Sequence, residues 1–289
     1  MVSAVSIAVA GVQAFAERPF DLRDRAWIAR LPSLVDRYRH AWRLEIEHVL
    51  VGGVMSCCLA VRTASGQPAV LKLAGPRTPA RPEIMALTHW AGGPAPSLLV
   101  ADDTGGAMLL ERVVPGRPCG GGADELDLTR VAQVLRALHT PPASAIVANL
   151  RSLADAVEER IAGVEATVAD RALEDAELIS ARLGEARRIT AALLRSWRSD
   201  SVVLHGDFEG RNILTCARRG LVAIDPIPSL GDPAYDAAYF ATRGSSPIGG
   251  AERCTQLARE LQLDPARVRR WAAVVALTSE PSFRSRAVV

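Results

Sequence analysis

A chain of 289 residues, 49% hydrophobic and 23% charged, can bury a sizeable core and is long enough for one domain or two. Its formal net charge of +2 creates no field that would gather nucleic acid, and no run approaches the ~20 apolar residues of a membrane helix. Five cysteines, Cys57, Cys58, Cys119, Cys216 and Cys254, are an odd number without a CxxC pair, which suits a reducing cytoplasm. The apolar start at 2–16 ends in Ala14-Phe15-Ala16, as an export signal does. No Lys or Arg precedes it and Gln13 interrupts it, so a cytoplasmic protein is expected, monomeric or homodimeric, with a small molecule as its partner.

In chain order, Trp27, Ile28, Leu31, Leu34, Val35 and Tyr38 recur at three- and four-residue steps and predict an amphipathic helix over 21–42, with Pro32 inside it. Runs rich in Val, Leu and Ile at 44–51, 55–62 and 69–73, separated by Gly52-Gly53 and by 64–68, predict a meander of antiparallel strands. Pro82 and Glu83 open a helix that Gly92-Gly93-Pro94 stops near Trp90. Strands at 97–101 and 107–114 follow, joined by the turn at 102–106.

Pro115, Gly116, Pro118 and Gly120 to Gly122 mark the change from strand to helix chemistry. The expected organisation is therefore an N-terminal lobe at 1–114, a linker at 115–123 and a helical lobe at 124–289. The helical lobe holds long Ala-, Leu-, Arg- and Glu-rich stretches at 124–139 and 152–197 and a last helix at 267–278. Two short apolar runs, 201–204 and 221–224, each lead straight into a polar cluster.

Those clusters carry the chemistry. The first is His205-Gly206-Asp207-Phe208-Glu209-Gly210-Arg211-Asn212, in which Asp207 and Asn212 have the spacing of a kinase catalytic Asp and its magnesium-holding Asn. The second is Ile224-Asp225-Pro226, where a carboxylate at a strand end offers a hard oxygen to magnesium. Against 33 arginines the chain has one lysine, Lys72, inside the strand Val70-Leu71-Lys72-Leu73. A compact ammonium suits phosphate oxygens in a narrow site, and Glu83 on the next helix is the expected partner. Strand Lys, helix Glu, loop Asp, Asn, then strand Asp is the kinase order.

These residues, with Leu109-Leu110-Glu111-Arg112 and Gly231-Asp232-Pro233-Ala234-Tyr235-Asp236, resemble the aminoglycoside phosphotransferases, nearest the streptomycin and hydroxyurea branch. The resemblance covers about 25–240. It implies an α+β, protein-kinase-like two-lobed fold with a small antiparallel-sheet N-lobe and a mainly helical C-lobe. It further implies an ATP- and Mg2+-dependent transfer of phosphate to a small-molecule hydroxyl, that of an aminoglycoside such as streptomycin, which would confer antibiotic resistance; a kinase for hydroxyurea or another metabolite, or a non-catalytic scaffold, are the alternatives.

By the same resemblance Asp207 takes the acceptor's proton, and Lys72, paired with Glu83, contacts the phosphates. The backbone from Glu111 to Val113 receives adenine, Asn212 and Asp225 hold magnesium, and Asp232 and Asp236 brace the loop. The kinase GxGxxG loop is absent, which leaves Gly52 and Gly53 to cover the phosphates. Glu209 is the nearest candidate for a cationic acceptor. Asp155, Glu158, Glu159 and Glu165 read instead as a solvated helix face paired with arginines, and Trp271 as core.

Overall fold

The computed structural model describes residues 22–50, 55–77, 79–119, 127–171, 175–197, 199–243 and 249–279. The apolar start, Gly52 and Gly53, and positions 120–123 of the expected linker lie outside these residues. In chain order the elements are α1 (Leu22–Ala41), β1 (Glu45–Leu50), β2 (Ser56–Arg62), β3 (Pro68–Ala74), α2 (Ala80–Trp90), β4 (Leu98–Asp102), β5 (Ala107–Glu111) and β6 (Pro115–Pro118). There follow α3 (Leu128–Leu138), α4 (Ser144–Val147), α5 (Leu153–Arg171), α6 (Ala176–Ser196), β7 (Val202–Leu204), a 3-10 turn (Gly210–Asn212), β8 (Ile213–Cys216) and β9 (Gly220–Ala223). The last are β10 (Ser229–Gly231), α7 (Ala234–Thr242), α8 (Gly250–Leu261) and α9 (Pro265–Leu277). Among the described residues no helix is long and apolar enough to cross a membrane.

The chain divides into two compact units, Met1–Arg117 with Leu214–Asp225, and Pro118–Ile213 with Pro226–Val289. A single passage through 115–123 therefore does not describe the connectivity: β8 and β9 return the chain to the first unit. They do so because β8 pairs with β6 in a three-stranded sheet of order β6-β8-β9.

In the first unit the meander continues into a five-stranded antiparallel sheet of order β1-β2-β3-β5-β4. Ile28, Leu31, Val35 and Tyr38, the stripe of α1, pack with Leu59, Val61, Leu71, Leu73 and Leu109 in one core. Side chains alternate along a strand, so the burial of Leu71 and Leu73 in this core turns Lys72, between them, to the opposite face.

The second unit is built from α3, α5, α6, α7, α8 and α9 around the short pair β7–β10. Asp127 and Asp264 cap α3 and α9 by accepting from Thr129 and Ala266 main-chain N–H groups, and Pro265 pre-sets the first turn of α9. Positions 243–266 fall between the elements expected from the sequence pattern. They are filled largely by α8, whose Cys254, Leu257 and Ala258 are buried.

Candidate active site

Each unit carries some of the expected residues, and each set is described by itself. In the first, β3 presents Lys72 and the first turn of α2 presents Glu83, which are 5% and 2% exposed. Lys72 Nζ donates to both Glu83 carboxylate oxygens at 2.7 Å and also to Asp225 Oδ1. Burial pulls the ammonium's pKa down, but the charges of Glu83 and Asp225 more than offset it and hold Lys72 well above its ordinary value. Burial pushes the Glu83 carboxyl up. The charge of Lys72 and its two-oxygen contact work against that rise.

Asp225 follows β9 in the left-handed backbone region, φ +61°, a conformation that Asp tolerates better than most residues and that recurs at functional sites. Cys58 faces Lys72 across the β2–β3 register, and its thiol is pushed up to about 11 by burial and the nearby carboxylates.

Glu111 ends β5. Its carboxylate accepts from Arg219 Nη2 at 2.6 Å and from Ser97 N and Oγ at 3.0 Å. Arg219 also holds the carbonyls of Gly93 at 3.2 Å and Ala95 at 3.0 Å, along with that of Gly92. The Glu111 side chain thus braces the loop after α2. Beyond it, Val113 joins Leu214, Cys216 and Val222 in a small apolar cluster.

In the second unit β7 delivers His205-Gly206-Asp207. Gly206 has φ +80°, and a Cβ there would lie 2.0 Å from the Ile227 carbonyl oxygen, so glycine is obligatory. Asp236, fully buried in the first turn of α7, accepts from the main-chain N–H of His205 at 2.8 Å and of Gly206 at 2.9 Å, and pairs with His139 Nε2 at 3.0 Å. Burial pushes its pKa up, but the His139 hydrogen bond and charge, with the Gly206 N–H, bring it below the usual carboxylate value.

The Asp207 carboxylate is held at both oxygens. Oδ1 accepts from the Tyr239 hydroxyl at 2.6 Å and Oδ2 from Asn212 Nδ2 at 2.8 Å, with Arg211 Nη2 at 3.5 Å. Asn212 Nδ2 donates to the Asp207 carbonyl as well, at 2.9 Å, so the amide oxygen of Asn212 is left as an acceptor. Glu209 pairs with Arg211 at 2.5 Å.

Residues expected to brace the fold do so. Asp232 accepts from Ala234 N, Trp271 Nε1 and Arg267 Nε, and Trp271 is fully buried. The helix carboxylates are spoken for: Glu158 and Glu165 bind Arg187, Glu159 pairs with Arg151, and Asp155 caps Ser152. Sequence reasoning missed Tyr239 and Arg160, since a tyrosine in an apolar helix and one arginine among 33 carry no distinguishing pattern.

Comparison with known proteins is decisive for the lineage. The family model "Aminoglycoside/hydroxyurea antibiotic resistance kinase" matches residues 41–286. The chain belongs to this family. Within it, the chain is 32% identical to the streptomycin 6-kinase of Streptomyces griseus over 86% of this chain and 81% of that one. It is 30% identical to the hydroxyurea phosphotransferase of Kitasatospora aureofaciens, over 86% and 71%. Among solved structures, macrolide 2'-phosphotransferase type I aligns with TM-score 0.58 at 19% identity, over 88% of this chain and 90% of that one. An ADP-bound aminoglycoside phosphotransferase aligns with TM-score 0.57 at 14% identity, over 83% and 85%. The family's fold is thus the protein-kinase-like one expected from the residues, a sheet unit and a helical unit, and family membership implies use of a nucleotide.

Proposed function

We propose that this kinase transfers the γ-phosphoryl group of ATP to a hydroxyl of streptomycin or a close aminoglycoside, in the cytoplasm, and so inactivates the antibiotic. The observation that carries the reading is the presence of Lys72 paired with Glu83 and Asp225, and of Asp207 paired with Asn212, in a chain whose streptomycin 6-kinase relative is aligned over most of its length. A non-catalytic scaffold would have no use for a buried lysine–glutamate pair joined to a third carboxylate and for another carboxylate held at both oxygens.

In this reading Lys72, oriented by Glu83, binds phosphate oxygens, and adenine lies against Val113 and Leu214. The donor set fits magnesium: the Asp225 carboxylate and the Asn212 amide oxygen are hard oxygens, and Lys72 now stands as the counter-ion of Asp225. When bound, the metal neutralises charge developing on the β- and γ-phosphates. Asp207 orients the acceptor hydroxyl. As that oxygen bonds to the γ-phosphorus and the bond to the β–γ bridging oxygen breaks, ADP leaves and the hydroxyl proton passes to Asp207.

One observation favours a second acceptor. Arg211 contacts Asp207, while Arg160 and Arg243 flank Tyr239, and the nearest carboxylate, Glu209, is already paired with Arg211. This surplus of guanidinium suits a small neutral hydroxyl compound such as hydroxyurea better than a polycation. Mass spectrometry of products from Mg-ATP with streptomycin, other aminoglycosides and hydroxyurea separates the readings. One added phosphate on streptomycin supports the first, one on hydroxyurea alone supports the second, and none on any acceptor refutes both.

A further inference from the structure

We propose that Tyr239, on the helix α7 whose Asp236 braces the loop main chain, is a positioning residue for the Asp207 carboxylate. The inference rests on reading Asp207 as the catalytic carboxylate. Asp236 and Tyr239 are three residues apart and therefore share one face of α7. Asp236 takes the N–H groups of His205 and Gly206, and Tyr239 donates its hydroxyl to Asp207 Oδ1 at 2.6 Å. One helical turn thus fixes three consecutive residues of the loop.

The tyrosine is itself held from outside the helix. Arg160, on α5, donates through Nη1 to the phenol oxygen at 3.2 Å and through Nε to the Thr278 carbonyl at 3.4 Å. Its Cζ lies 5.0 Å from the ring centroid, and that of Arg243 lies 5.1 Å from it. The ring, 2% exposed, is held by two cations. Burial and the Asp207 charge drive the phenol's pKa up despite the pull of Arg160, so the hydroxyl stays protonated and donates.

The consequence for Asp207 is geometric. The terminal torsion of an aspartate is broad, and a carboxylate held at one oxygen swings about it. With Tyr239 on Oδ1 and Asn212 on Oδ2, that rotation is arrested and the remaining lone pairs point in set directions. A donor chain from Arg160 through Tyr239 to Asp207 also polarises along its length, which strengthens the final bond.

The test is Tyr239→Phe, which keeps the ring and drops only the hydroxyl, with Asp207→Asn as control and turnover followed as ADP release with and without streptomycin. The expected result is a kcat lower by on the order of 10 to 100-fold, from misplacement of the carboxylate, with the KM for ATP unchanged and the melting temperature close to that of the parent. Arg160→Gln added to Tyr239→Phe should lower kcat no further, because both act through one hydrogen bond. Parental kcat in Tyr239→Phe beside an inactive Asp207→Asn overturns the inference and leaves the reading of Asp207 standing.

Parental turnover in Asp207→Asn overturns the reading itself. The contact is then judged separately by 19F NMR of fluorotyrosine-labelled protein, which has three tyrosines. The resonance lost in Tyr239→Phe should move in Asp207→Asn, and a stationary resonance refutes the contact whatever the acceptor is.

Discussion

The surroundings of Lys72 and of Asp207 solve the same problem, a fixed charge in a partly dry site, by opposite means. Lys72 sits among full counter-charges, with Glu83 on two bonds and Asp225 on a third, and all but disappears from solvent. Asp207 is held chiefly by neutral donors, a phenol and an amide, on a loop whose main chain is tied by Asp236. The difference teaches which half tolerates change. A buried ion pair collapses when either partner goes, since the survivor keeps its desolvation penalty. A carboxylate held by dipoles loses alignment before it loses stability.

The largest expected effect lies on the second side of this contrast. Asp207→Asn should lower phosphate transfer by about 10^2 to 10^4-fold, the usual worth of a positioned acid–base group, while nucleotide binding measured by calorimetry stays near parental. Equal loss of both would erase the division of labour. Lys72→Ala sharpens the other side: stranding Glu83 should destabilise the protein by roughly 3 kcal/mol, seen in urea unfolding, and raise the KM for ATP. Lys72→Arg should not rescue it, because a planar fork does not fit the space of an ammonium bonded to two carboxylates.

Gly206→Ala comes next. The new methyl meets the Ile227 carbonyl and requires φ +80°, so about 1 to 3 kcal/mol of strain is expected, with kcat falling alongside the urea midpoint.

The pH dependence is subtler. Because the folded-state pKa of Asp236 lies below its ordinary value, its contribution is fully present above that ordinary value and is lost as pH falls through the folded one. Urea midpoints of the parent should therefore drop below about pH 4, whereas Asp236→Asn should start lower at pH 7 and fall less. The smallest effect belongs to a surface pair. Glu158→Ala frees Arg187 only in part, since Glu165 remains, and should shift stability by no more than ~0.5 kcal/mol.

How much of this was legible in the sequence follows the same contrast. The Lys72 half could be read because its signals are local: the one lysine stood out inside a strand run, and a helix start placed Glu83. The Asp207–Asn212 half could be read from spacing alone. What could not be read depends on long-range contacts. Seven of the nine residues of α7 are apolar or aromatic, and eight are buried, so it lacks the polar face that periodicity needs. β6, with two prolines and a glycine in four residues, breaks every local rule for a strand and pairs only because β8 lies beside it. Nor does sequence show that 214–225 rejoin the first unit, since that return is fixed by pairing and not by composition. By contrast α8, with Cys254, Leu257, Ala258 and Leu261 at helical steps, carried its signal openly between two better-marked regions.

The one lysine has a further consequence for anyone handling the protein. Lys72 carries the sole ε-amino group of the chain, buried and clasped by carboxylates, so amine-directed reagents find only that group and the chain's amino terminus. Acylation at Lys72 would have to wait for local opening, and its rate becomes a clock for the breathing of the sheet unit. Any ligand that shuts that unit should slow the clock, so the yield of the Lys72 adduct at a fixed time falls as occupancy rises, whatever the acceptor is.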